Sequence, residues 1–205
     1  MKKPVFIILL SILMSASVFA QKVTEKKAAD ERDLSGTWIL DEEKSQFSTY
    51  NEEIDDKEKE GYENYALTIT QKESEIKIIK SYTFRGKESK YTITLFADNR
   101  SEQNIESYRR QIDAPNVNTL NLLLEEANIK SETVWKKGKL IRKGSFQGNV
   151  GMPNFRVEKN HLVKEVYELS DDSQTLVVEI DLQILNSPTN IGFRRSKLTF
   201  HKDTN

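Results

Sequence analysis

The strongest constraint in this chain is a side-chain period of two. From 176 to 184, Leu176, Val178, Ile180, Leu182 and Ile184 alternate with Val177, Glu179, Asp181 and Gln183. Extended backbone places those five apolar residues on one face, where a helix would scatter them. The same period runs through Tyr65, Leu67 and Ile69, through Ile76, Ile78, Tyr82 and Phe84, and through Tyr91, Ile93 and Leu95. Turn chemistry falls between such runs. Arg85-Gly86-Lys87 and Lys137-Gly138-Lys139 each carry a glycine for positive φ, and Asp171-Asp172-Ser173-Gln174 is a polar turn. These turns imply hairpins joining 132–135 to 140–146 and 163–169 to 176–184, and 193–201 reads as a last strand. Segments 105–112 and 118–125 also read as strands, although Leu and Glu would let 121–126 form a short helix. Roughly nine to eleven short strands without helix–strand alternation predict an all-β fold, an antiparallel sandwich or barrel in one domain.

The N-terminus has a different pattern. Lys2 and Lys3 precede an apolar run over 5–14, followed by Ser15, Ala16 and Ser17 and then Val18-Phe19-Ala20. A positive start, a short apolar stretch and small side chains before a cut after Ala20 are the physical signature of a secretory signal. The apolar run is shorter than the ~20 residues a transmembrane helix needs. We therefore expect a signal peptide over 1–20, a charged flexible tether over 21–33 and a folded domain over 34–205, soluble in the periplasm or outside the cell after cleavage.

Composition narrows the chemistry. With no cysteine, disulfides, thiolate metal sites and Cys nucleophiles are excluded, and two histidines, His161 and His201, make a His-rich metal site a poor expectation. Net charge is −1, from 31 Lys plus Arg against 32 Asp plus Glu, which gives no reason to expect nucleic acid as a partner. The stretch 41–64 is acidic, with seven carboxylates from Glu52 to Glu63 against Lys57 and Lys59. It lacks the spacing and turn glycine of a calcium loop and reads as a solvated insertion or a partner-binding loop.

One resemblance is carried by short motifs spread over the domain. Leu34-Ser35-Gly36-Thr37-Trp38, continued by Asp41 and Lys44-Ser45, resembles the opening of lipocalin-like (calycin-type) barrels and of a group of exported bacterial proteins of unassigned function. Asp98-Asn99-Arg100-Ser101-Glu102-Gln103-Asn104, the hairpin Trp135 to Leu140, and Leu169-Ser170-Asp171-Asp172 are similar to later motifs of that group. The lipocalin Thr-Asp-Tyr motif and disulfide are missing. The resemblance implies a single antiparallel up-and-down β-barrel of roughly eight to ten strands with little helix. It further implies that Trp38 closes one end beneath an arginine, Arg194 or Arg195, in a structural cation–π pair.

The remaining constellations are weaker. Asp98, Arg100 and Glu102 form a possible polar turn site, with a surface Arg100–Glu102 pair as the plainer reading. Gly144 to Gly151 holds three glycines without the ending of a phosphate loop and reads as a flexible connection. His161 and His201 read as solvated, and no nucleophile elbow is present. The leading expectation is a non-catalytic protein binding a small, at least partly apolar or amphipathic ligand inside the barrel, lined by Tyr65, Leu67, Ile69, Tyr91, Ile93 and Leu95. No cofactor, metal or catalytic residue is expected. The main alternative is an interaction module with a filled barrel that binds protein or glycan through its loops. An enzyme, the third possibility, would show convergent ionisable groups with shifted pKa.

Overall fold

A computed structural model describes residues 31–46, 62–84, 86–109, 124–150, 157–186 and 193–204. The expected signal peptide, most of the expected tether and residues 47–61 of the acidic stretch lie outside those residues. Ten strands follow one another in the chain: β1 (Gly36–Leu40), β2 (Tyr62–Lys72), β3 (Glu75–Phe84), β4 (Lys87–Phe96), β5 (Asp98–Arg109), β6 (Leu124–Lys136), β7 (Lys139–Val150), β8 (Val157–Leu169), β9 (Thr175–Ile184) and β10 (Phe193–Lys202). Every pairing is antiparallel, in the order β4-β3-β2-β1-β10-β9-β8-β7-β6-β5. Sequential neighbours pair except at β4 and β5, and β1 joins β10. The result is the expected up-and-down barrel, nearly closed, with no helix among the described residues.

The seam lies between β4 and β5, where side chains replace the backbone ladder. Asn104 accepts from the Thr94 N–H at 2.8 Å and donates to the Thr94 carbonyl at 3.1 Å, and Glu102 accepts from the Phe96 N–H at 2.7 Å. Those contacts satisfy backbone groups that an open sheet edge would leave bare.

The two ends of the barrel are built differently. At one end, which we call the closed end, the connections are tight: 73–74 between β2 and β3, Ala97 between β4 and β5, 137–138 between β6 and β7, and 170–174 between β8 and β9. Glu73, Asn99, Lys137, Gly138 and Ser173 take the positive φ that such turns demand. At the other end the connections 41–61, 110–123, 151–156 and 185–192 are longer, with only 85–86 short.

Three expectations need correction here. Strand β5 begins at Asp98, so the segment expected at 105–112 starts seven residues earlier and 98–104 is strand, not loop. Residues 124–126 extend β6; 118–123 lie outside the described residues. The glycines from Gly144 do not make a loop, because β7 runs on to Val150. Gly144 is a close approach: a Cβ there would stand 2.9 Å from Ser131 Cβ and 3.0 Å from the Lys130 carbonyl oxygen, so β7 can lie against β6 only without a side chain at this point.

Candidate functional site

Inward side chains form three levels. Nearest the tight turns, Trp38, Ile69, Ile76, Ile78, Ile93, Leu95, Leu140, Leu176 and Phe200 belong to one buried apolar cluster. Trp38 is 0% exposed, and its indole N–H donates to the Leu34 carbonyl at 2.9 Å. Of the six residues expected to line the interior, Leu67, Ile69, Ile93 and Leu95 lie in this cluster at 0–2% exposure and fill the closed half. Tyr65 and Tyr91 sit higher and are half-buried.

The cation over Trp38 is Lys202, its Nζ 5.4 Å from the ring. This corrects the expected arginine: Arg195 points outward and pairs with Asp181 at 2.6 Å, and the side chain of Arg194 lies outside the described residues. Register decides the matter, since Trp38 is directly paired with Lys202 across β1 and β10. It also explains the glycine two residues before the tryptophan. Gly36 has φ +143°, and a Cβ there would press to 3.0 Å from Lys202 Cε.

The middle level is ionic. Among the described residues the buried Lys, Arg, Asp and Glu side chains are Lys80 on β3, Glu102 and Glu106 on β5, Arg142 on β7 and Glu165 on β8. Arg142 is 0% exposed and uses all three nitrogens. Its Nε donates to Ser131 at 2.9 Å, Nη1 to Glu165 at 3.0 Å and Nη2 to Glu106. Glu165 also accepts from Lys80 at 3.1 Å and from the Tyr167 hydroxyl at 3.0 Å. Glu102 accepts from the hydroxyls of Ser131 at 3.0 Å and Thr133 at 2.6 Å. The expected polar turn site is thereby divided: Asp98 pairs with Arg100 at the surface, at 2.5 Å, while Glu102 turns into the barrel.

Electrostatics fixes the charge state of this level. Burial alone would raise the Glu165 carboxyl, but the charges of Lys80 and Arg142 outweigh it and hold the group at about 2. Burial works against the charged forms of Lys80 and Arg142 too, yet the Glu165 charge and then other neighbours push both upward. These three groups stay ionised across neutral pH. A proton shuttle needs a group poised near the working pH, so their arrangement suits charge fixation and recognition.

Above the ionic level, towards the longer connections, Ala127, Ile129, Phe146 and Val163 form a second apolar cluster, with Ile180 and Leu182 half-buried against it. His161 belongs here as well. Instead of the expected solvated loop position it is 2% exposed on β8 and stacked on Phe146, with centroids 4.6 Å apart. His201 is exposed, as expected.

Tyr65 and Tyr91 point inward and keep accessible surface, while burial pushes the Tyr65 hydroxyl up to about 12 and raises Tyr91 as well. Ile180 and Leu182 on β9 are half-buried too. Sequence reasoning found the tyrosines through their period, but it missed Lys80, Glu106, Arg142 and Glu165. The only signal for them was a charged residue at an inward-facing position, such as Glu165 between Val163 and Tyr167.

Among the described residues no helix is long and apolar enough to cross a membrane. No protein-family model matches the chain, and no curated protein matches it. Among solved structures it is similar to one described as "REP1-NXSQ fatty acid transporter", at 12% sequence identity and a TM-score of 0.40, over 84% of this chain and 98% of that one.

Proposed function

We propose that this protein is an exported, lipocalin-like, non-catalytic binding protein that holds a small, partly apolar molecule in the open half of its barrel. The observation that carries the reading is the accessible surface kept by Tyr65, Tyr91, Ile180 and Leu182 above a closed half that is filled. A barrel of this kind can be filled by its own side chains throughout, and the reading requires unfilled space beside these four residues. The polar side chains beneath would orient a bound molecule, while the apolar wall of Ile129, Phe146, Val163 and Leu182 would supply most of its affinity.

Native mass spectrometry of protein purified gently from an exported preparation tests this. The expected result is an extra mass that leaves on denaturation, or saturable binding of the neutral apolar dye Nile red that Leu182→Trp abolishes without unfolding the barrel. A bare protein mass together with no saturable dye binding would overturn the reading in favour of a loop-mediated interaction module.

A further inference from the structure

Among the described residues the ionic level holds three carboxyl groups, Glu102, Glu106 and Glu165, against two cations, Lys80 and Arg142. Following the hydrogen bonds shows where the surplus lies. Glu102 receives a backbone N–H and two hydroxyls. Glu165 receives both cations and a phenol. Glu106 receives only Arg142, on Oε1, and its Oε2 stands 3.8 Å from Lys80 Nζ, beyond hydrogen-bond reach. The Glu106 side chain is 5% exposed, and among the described residues no donor stands within hydrogen-bond reach of this oxygen.

Three aromatic rings follow one another on β2, β3 and β4, next to Lys80. Tyr65 and Tyr82 have centroids 5.3 Å apart, and Tyr82 meets Tyr91 edge-on at 6.4 Å. Lys80 Nζ already lies 5.9 Å from the Tyr91 ring centroid, so these faces accept a cation. Lys80 Nζ, which also stands 3.8 Å from Glu106 Oε2, joins the carboxyl and these rings in one part of the barrel.

Resting on the binding reading above, we propose that the ligand is an organic amine: an ammonium head donating to Glu106 Oε2 against the faces of Tyr65 and Tyr91, with an apolar body running towards Phe146 and Leu182. An ammonium would supply the donor that Glu106 lacks and neutralise the level, and aromatic faces favour such a cation. A carboxylate head would instead add a second surplus negative charge. Among the described residues the buried cation with spare donors for it is Lys80, which Glu165 and Glu106 already flank.

Displacement of bound Nile red by three chain-matched probes, dodecylamine, dodecanol and dodecanoate, each below its micellar concentration at pH 7, tests this. The amine is expected to bind at least tenfold more tightly than the alcohol, and the carboxylate most weakly. Glu106→Gln should cut the amine-to-alcohol ratio about tenfold. Tyr91→Leu, which leaves every charge paired, should reduce the same ratio if Glu106→Gln fails to fold. Dodecanoate binding as well as or better than dodecylamine, or a ratio unmoved by the variants that fold, would overturn the amine assignment while leaving the carrier reading intact. Failure of all three probes to displace the dye would overturn the carrier reading itself.

Discussion

The closed and open halves of this barrel are made from the same strands with the same alternation, yet they are different materials. Strand β3 contributes Ile76 and Ile78 to the closed half, then Lys80 and Tyr82 further along the same inward face. Strand β4 runs the other way, from half-buried Tyr91 to fully buried Ile93 and Leu95. Period two therefore assigns a residue to a face, while the kind of side chain at each level decides whether that level is packed solid, charged or hollow. Tight turns draw the strand ends together at the filled end.

Single substitutions sharpen this contrast. Trp38→Ala should cost about 5 kcal/mol in urea unfolding, because it empties the centre of a filled region and leaves the Leu34 carbonyl without its donor. Leu182→Ala, in the open half, should cost only ~1 kcal/mol, since its side chain already borders accessible space. Equal losses at the two positions would mean that the halves are packed alike and that no lumen exists.

Arg142→Met probes the layer between them. Removing the guanidinium strands Glu165 and Glu106 in a buried setting, for an expected loss of roughly 4 kcal/mol. Arg195→Ala breaks an ion pair of similar geometry on the outer face, and there the loss should stay below about 1 kcal/mol. Gly144→Val tests the close approach of β7 to β6 and should cost ~2 kcal/mol through overpacking against Ser131 and the Lys130 backbone. A neutral result would show that the two strands can part at this point.

The outline of the fold was legible because β2, β3, β4, β8 and β9 carry apolar residues inward and end in turns with positive-φ positions. Strand β5 defeated that logic. Its inward face is Glu102, Asn104 and Glu106, while its apolar residue, Ile105, is 63% exposed. Hydrophobic periodicity looks for strands that bury oil, whereas this one buries acceptors whose donors come from β4, β6 and β7. The partnerships with β6 and β7 span 31 and 36 residues, so no local pattern announces them. The cation over Trp38 was obscured for a related reason: motif resemblance suggested an arginine, but the β1–β10 register put Lys202 there.

The smallest expected effect concerns the rim of the apolar wall. His161 stacks on Phe146, and its Nδ1 lies 3.0 Å from the Lys159 carbonyl, a contact that places the proton on that nitrogen. Burial is the larger influence and lowers the imidazole pKa, although the Lys159 contact opposes it. The unfolded chain therefore takes up this proton more readily than the folded one, so the contribution of His161 is complete above about pH 6.5 and declines as pH falls below it. His161→Phe keeps the stack and removes the titration. Urea unfolding of both proteins between pH 7.5 and 5 should show the wild type losing more stability than the variant on acidification. Parallel pH profiles would mean that His161 is as well solvated when folded as when unfolded, and that the open half reaches bulk water at Phe146 rather than enclosing it.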